Sequence, residues 1–306
     1  MKIYTLTLNP AYDVHGECDD FAALRENFVS VTGRDAGGKG VNISRALQNA
    51  GVANTAVVVV GEENSEEFCD SLNRFGLDCI FLEKPGRIRE NLTIHHGEVE
   101  TRISFSGFAV DDSLLDEVFS LMELSTDTLV TFTGSIPKGI TKAAAIAFLQ
   151  KLKNNGVKLV LDCRSFELAD IQAVKPWLIK PNQQEISQWF GAAVNTMDQA
   201  AMYAQKLYSM GVVNAMVSMG NQGAVLYSNG LWKAVTPELD PVSTIGAGDS
   251  SIAGFLCAVT HGSDKRECLR YAVAFGSAAC LTEGTQPPQK AEIDKYLRNI
   301  KVLEGI

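Results

Sequence analysis

Residues 128–163, TLVTFTGSIPKGITKAAAIAFLQKLKNNGVKLVLDC, decide the fold. Thr128–Thr133 is a strand candidate, and a helix over about 141–155 follows it and stops at Gly156. Lys158–Cys163 then carries the apolar run Leu159-Val160-Leu161 of a strand buried on both faces. Strand, helix and strand with short connections predict parallel neighbours in an α/β protein. The alternation continues downstream. Trp177–Lys180 is a strand ended by Pro181, and a helix over about 198–210 stops at Gly211. Ala215–Ser218 and Ala224–Tyr227 are strands, and Asn229-Gly230 is a hairpin turn before Leu231–Val235. Helices are predicted near 249–261, 264–281 and 290–300. The expected architecture is an α/β sandwich with a mainly parallel sheet.

Upstream, Met1–Leu8 alternates like a strand, residues 41–50 form a helix ended by Gly51, and Ala56–Val60 is a buried strand. Residues 65–75 form an amphipathic helix with Phe68, Leu72 and Phe75 on one face and a stop at Gly76. Two stretches, about 12–34 and about 88–106, read as extended and half-exposed, with His96-Gly97 suited to a hairpin turn. They predict a small additional sheet whose free face covers a pocket or meets a partner. No repeat and no low-complexity linker divides the chain, so residues 1–306 read as one domain with those two lid segments.

The composition is that of a globular protein, 46% hydrophobic and 21% charged, with a net charge of −9. That balance argues against nucleic acid as a partner. No apolar run approaches the roughly 20 residues that span a bilayer, so no membrane partner is expected. The N-terminus lacks the pattern of a signal peptide. Seven cysteines without a Cys-x-x-Cys pair suggest reduced thiols in the cytoplasm. An acidic chain that handles phosphates must concentrate basic residues locally.

Thr244-Ile245-Gly246-Ala247-Gly248-Asp249-Ser250 is a glycine-rich turn that opens a helix. Such a turn aims backbone N–H groups and the positive end of a helix dipole at one point, an anion site. Asp249 is out of place there as a phosphate ligand, since like charges repel. It makes sense as a base that takes the proton of a hydroxyl attacking a phosphoryl group, or else as an acidic first-turn residue. Ala36-Gly37-Gly38-Lys39-Gly40, with Gly33, nearly spells a P-loop, but Gly40 stands where a hydroxyl should hold magnesium. A different reading keeps Gly38 as a close-approach surface and Lys39 as a phosphate counter-charge. Asp13 and Asn42 could hydrogen-bond sugar hydroxyls, or cap a turn and a helix start. Arg89 and Arg102, on the two arms of the second extended segment, suit bidentate phosphate binding. Ser135 follows a strand end and could donate to a ligand. Lys180, Asn182 and Glu185 lie at and just past another strand end, where Asn182 and Glu185 could orient magnesium-bound water and phosphate. Ser218, Gly220 and Gly223 join two strands where a nucleotide could approach closely.

As a set these motifs resemble the PfkB (ribokinase-like) carbohydrate kinases: LTLNPAYD, AGGKGVN, RENLTI, TRISF, GSIPKG, KPNQQE, SMGNQGA and TIGAGDS, in order over essentially the whole chain. The GGKG form and the LNPAxD start resemble the sugar-phosphate branch, which holds 1-phosphofructokinase and tagatose-6-phosphate kinase. The resemblance implies a three-layer α/β/α core with a β lid, Mg-ATP as phosphoryl donor and a homodimer through the lids. It implies Asp249 as base and Gly246, Ala247 and Gly248 as the anion hole. Asp13, Gly38 and Asn42 would contact the sugar, with Lys39, Arg89, Arg102 and Ser135 at substrate positions and the basic trio serving its existing phosphate. Lys180, Asn182 and Glu185 would serve the nucleotide phosphates and, through water, the magnesium. Ser218, Gly220, Gly223, Gly276 and Ser277 would line the nucleotide side. Ser44 and Glu90 depart from the branch, which usually has a residue such as Ala at the first and often Thr at the second.

The expected reaction is in-line transfer of the γ-phosphoryl of ATP to a hydroxyl deprotonated by Asp249. The first substrate is D-fructose 1-phosphate, giving fructose 1,6-bisphosphate. D-tagatose 6-phosphate is the alternative, because both sugars carry a phosphate at one end and a hydroxyl at the other. A catalytically silent sugar-phosphate sensor is the alternative of a different class, but a sensor has no use for a base opposite an anion hole.

Overall fold

The computed structural model describes residues 1–97 and 99–305. Glu98, inside the expected 88–106 segment, and Ile306 lie outside the described residues. In chain order the elements are β1 (Lys2–Thr7), β2 (Ala11–Glu17), β3 (Ser30–Gly37), α1 (Lys39–Asn49), β4 (Thr55–Gly61), α2 (Ser65–Arg74), β5 (Asp78–Lys84), β6 (Arg89–His96), β7 (Val99–Ser104) and α3 (Ser113–Ser120). There follow β8 (Thr128–Thr133), α4 (Lys142–Asn154), β9 (Lys158–Asp162), α5 (Leu168–Val174), β10 (Leu178–Ile179), α6 (Gln183–Phe190), α7 (Met197–Ser209) and β11 (Asn214–Ser218). The chain closes with β12 (Ala224–Tyr227), β13 (Leu231–Ala234), α8 (Ala247–Thr260), α9 (Lys265–Ala279), α10 (Lys290–Asn299) and β14 (Val302–Gly305).

The large sheet has the order β14-β13-β12-β11-β10-β9-β8-β1-β4-β5. From β11 to β5 every neighbouring pair is parallel, and β12, β13 and β14 extend it antiparallel at one edge. Its central strands β1, β4, β8 and β9 are buried on both faces, which explains their continuous apolar runs. In β9, Leu159 and Leu161 face one core with Val130 and Phe132 of β8, while Val160 faces the other with Leu129. The first core is covered by α3, α4, α5, α6 and α7, the second by α1, α8, α9 and α10. These are the layers of an α/β/α sandwich. The strand expected over Trp177–Lys180 shrinks to two paired residues, because the chain turns into α6 directly after Pro181.

A second sheet, β3-β2-β6-β7, stands apart from the first and forms the lid. The strand expected to end near residue 34 continues to Gly37, so the AGGKG run passes from a lid strand through Gly38 into α1 instead of forming a loop after a core strand. This excludes the P-loop reading: Gly33 sits opposite His15 in the lid, and Lys39 is the first residue of α1. Tyr12 on β2 packs edge-on against Phe68 of α2, which ties lid to core.

Candidate active site

The carboxyl ends of the parallel strands converge on one cleft, as expected for a sheet of this kind. Ser135 follows β8, Asp162 ends β9, Lys180 follows β10 and Ser218 ends β11. The register pairs Thr133 with Asp162, which holds these ends level. The opposite wall comes from the lid, with Asp13 on β2, Arg89 and Asn91 on β6, and Arg102 on β7. Every residue singled out in the sequence as a site candidate lines this cleft, from Asp13 and Gly38 to Gly276 and Ser277. Its volume is about 1590 Å³. A pocket for one small ligand measures roughly 300–1,000 Å³, so the cleft has room for two.

At the floor, Gly246 takes a left-handed conformation (φ 77°) and starts α8 at Ala247. In its first turn Ala247 N donates to the Thr244 carbonyl at 3.4 Å, and the N–H groups of Gly248 and Asp249 are left for an anion. Asp249 is buried in that turn and its Oδ2 accepts from Asn42 Nδ2 at 2.8 Å. Burial pushes its carboxyl up to about 6, against the opposing pull of Lys39, the Asn42 amide and Lys180. A carboxylate poised there ionises near neutral pH and still accepts protons readily.

Beside it lies a buried charge cluster centred on Asp162, which was not among the site residues expected from the resemblance. Asp162 Oδ2 stands 2.8 Å from Lys39 Nζ and 3.8 Å from Lys180 Nζ. Burial disfavours its charge, but the two ammonium groups outweigh that and hold the carboxyl below its usual range. Lys39 is the mirror case: burial opposes its charge, and Asp162 and Asp249 raise its pKa above normal. Lys180 Nζ lies 3.1 Å from where a Cβ on Gly248 would be, so a side chain there would crowd the ammonium. Lys39 is thus placed at the reacting end, with Asp162 and Asp249. It is paired there, while Arg89 and Arg102, expected to share the substrate's existing phosphate with it, stand on the lid strands. The signal for Asp162 was its position: a carboxylate closing an otherwise apolar parallel strand.

The arginines belong to the lid end. Arg102 donates to Asp13 Oδ1 at 3.0 Å, and Asn91 Nδ2 donates to the same oxygen at 2.9 Å. Arg89 is oriented by the carbonyls of Phe105 at 3.1 Å and Asn9 at 3.4 Å, and burial lowers its pKa, with Arg102 adding to that effect and Asp13 opposing it. Two cations beside one carboxylate leave positive charge for an incoming dianion. Gly37 is required here, since a Cβ would lie 2.4 Å from Asp13 Oδ2. Ser135 Oγ accepts from Asn9 Nδ2 at 2.8 Å.

Asn182 and Glu185 also make a reciprocal capping box at the start of α6: Glu185 N donates to Asn182 Oδ1 at 2.8 Å, and Asn182 N donates to Glu185 Oε2 at 2.9 Å. The other Glu185 oxygen is paired with Arg164 at 3.2 Å, a cleft residue that the sequence did not flag. Gly276 and Ser277 lie inside α9, not in a loop. A Cβ on Gly276 would meet Ser251 Oγ at 2.4 Å, so this glycine brings α9 against α8 at the cleft.

A sequence profile described as pfkB family carbohydrate kinase matches residues 11–292. The chain is 30% identical to a 1-phosphofructokinase of Haemophilus influenzae, over 99% of both chains. It is 33% identical to a 1-phosphofructokinase of Bacillus subtilis, over 92% of this chain and 93% of that one. The structure of phosphofructokinase-2 from Escherichia coli in complex with substrates and products superposes with a TM-score of 0.91 at 24% identity, over 98% and 99% of the two chains, a likeness of fold. The aspartate above a glycine-capped helix, the lid arginines and the full-length match agree: the chain belongs to the pfkB family of carbohydrate kinases.

Proposed function

We propose that the protein is an ATP-dependent ketohexose-phosphate kinase that converts fructose 1-phosphate to fructose 1,6-bisphosphate. The observation that carries the reading is the spacing of charges along one cleft. Asp249 and the anion hole lie at the floor, and Arg89 and Arg102 lie at the lid. A sugar with a phosphate at one end and a hydroxyl at the other bridges them. The relatives named 1-phosphofructokinase support this choice of sugar.

Asp249 takes the proton of the sugar hydroxyl as that oxygen bonds to the γ-phosphorus. The bond from phosphorus to the ADP oxygen breaks on the opposite side. The first-turn N–H groups of α8, with Lys39 and Lys180, stabilise the negative charge on the transferring group. In comparable holes one lost donor costs about 10²–10³ in rate, and base catalysis contributes about 10²–10⁴. Asp162 pairs with both lysines and holds them in place.

ATP is expected to bring Mg²⁺, which would neutralise phosphate charge. Among the described residues no three acidic, His or Cys side chains converge on a metal position. The donor set still suits Mg²⁺, which keeps several waters and needs one or two carboxylates beside the nucleotide phosphates. Glu185, which lines the cleft, would be such a carboxylate, acting through water. We also place the protein in the cytoplasm, as a homodimer joined through the lids.

The test compares fructose 1-phosphate, tagatose 6-phosphate, fructose 6-phosphate and fructose in an ATP-consumption assay with Mg²⁺. The expected result is the highest kcat/KM on fructose 1-phosphate. A preference for tagatose 6-phosphate keeps the chemistry and changes the substrate. Activity on fructose alone removes the role of Arg89 and Arg102, and no turnover on any of them supports a sensor.

A further inference from the structure

Gln286 bridges a buried cation and a lid carboxylate. Its Nε2 donates to Asp35 Oδ1 on β3 at 3.0 Å, and its Oε1 accepts from Arg45 on α1 at 3.0 Å. Arg45 is 3% exposed and its guanidinium stacks 4.1 Å above the Phe75 ring, so the cation is fixed in the core. An amide aligned this way turns each end of its dipole to the charge that favours it. Both hydrogen bonds are charge-assisted, and they reinforce one another.

The loop that carries Gln286 is itself held on several sides. Thr282 Oγ1 donates to the Gln286 carbonyl at 2.8 Å, and Asn49 of α1 donates to the Pro288 carbonyl at 3.4 Å. Gly284 packs on the ring of His15 in β2, where a Cβ would lie 2.5 Å from Nε2. Thr285 lines the cleft, and its Cα is 3.7 Å from where a Cβ on Gly246 would be, so the loop abuts the anion hole. Two residues beyond Asp35, Gly37 backs the Asp13 carboxylate. One short loop therefore touches the anion hole, helix α1 and two lid strands.

We propose that Gln286 is a positioning residue that sets the lid against the anion hole, so that a sugar held by the lid presents its hydroxyl to Asp249. This rests on the kinase reading above. Gln286→Glu keeps an acceptor for Arg45 but sets a carboxylate against Asp35. Asp35→Asn alone preserves the network, because the amide oxygen still accepts from Gln286. Combined, the amide introduced by Asp35→Asn donates to the carboxylate introduced by Gln286→Glu, and both arms are restored.

The experiment measures KM for fructose 1-phosphate and for ATP, with hydrogen exchange over residues 30–37, in the three variants. Gln286→Glu is expected to raise KM for the sugar phosphate about tenfold, to leave KM for ATP within about twofold, and to speed exchange in β3. Asp35→Asn is expected to match the wild type, and the double variant to recover both readouts. If Gln286→Glu fails to fold, Gln286→Leu, which removes both bonds without adding charge, is held to the same KM and exchange shifts. Gln286→Glu equal to the wild type in both readouts overturns the proposal, as does a double variant no better than Gln286→Glu. If the wild type turns over no sugar phosphate, the kinase reading fails, and the exchange data alone then judge the bridge.

Discussion

Asp249 makes the most direct test at the scale of the residue. As a base it must be deprotonated, so kcat/KM should rise about tenfold per pH unit below about 6 and level off above it. A profile flat from pH 5 to 8 would remove it from that role. Asp249→Asn should lower kcat by about 10² or more while ATP still binds. The same carboxyl carries a linked stability effect. Its folded pKa of about 6 lies above the reference 3.8, so folding favours the protonated form. That contribution is complete below about pH 3.8 and is lost as pH rises through about 6. At pH 8 the ionised group is a net cost, and Asp249→Asn should stabilise the protein by about 3 kcal/mol, an advantage that shrinks towards zero by pH 4. Urea titrations at the two pH values measure it. At the other end of the cleft, Arg89→Ala with Arg102→Ala should raise KM for the phosphorylated sugar at least about tenfold and spare ATP. An equal loss on ATP would show that the arginines serve the nucleotide.

At the scale of the element, the anion hole is only as rigid as the packing of α8. Gly254 sits where α8 meets α9, and a Cβ there would lie 2.4 Å from the Tyr271 carbonyl and 2.8 Å from Phe275 Cγ. Gly254→Ala should therefore push the helices apart and cost about 1–3 kcal/mol, despite the better helix propensity of alanine. Unfolding by urea checks it, and a stabilised variant would show that the crossing has slack. Long helices such as α4 and α7 were legible because glycine stops follow them and their apolar residues recur at helical spacing. Elements that lack those signals were not. Strand β5 pairs only with β4 at the sheet edge and is half-exposed along its length. Helix α5 has seven residues, and β14 is four residues at the far edge. Helix α6 was hidden for another reason: Asn182 and Glu185 read as ligands of phosphate and metal, yet the same two side chains are its cap. In the site, motif reading found residues contributed by loops and glycine turns. The neighbours of Lys39 were not legible, because Asp162 and Asp249 lie 123 and 210 positions away in sequence and only the fold brings them close.

At the scale of the molecule, the lid has a second face to account for. Along β7, Glu100, Arg102 and Ser104 line the cleft, so alternation turns Val99 and Ile103, with Phe105 next in the run, to the other side. Those three are 55%, 40% and 54% exposed, and Leu24 and Phe28 in the connection between β2 and β3 are exposed as well. Large apolar side chains exposed along an edge strand are a place for a partner. Its link to the chemistry runs through Phe105, whose carbonyl accepts from Arg89. If two lids pair there, the pairing fixes the backbone that orients a phosphate-binding arginine. Ile103→Asp with Phe105→Asp adds charge to that face and leaves the carbonyl in place. Light scattering should give twice the 33.1 kDa chain mass for the wild type and the single mass for the variant. The monomer should bind ATP normally and show a KM for the sugar phosphate raised about tenfold, because the ordering of Arg89 is what it loses. A wild type that is already monomeric removes the lid interface. A monomeric variant with unchanged kinetics keeps the interface and separates it from the active site.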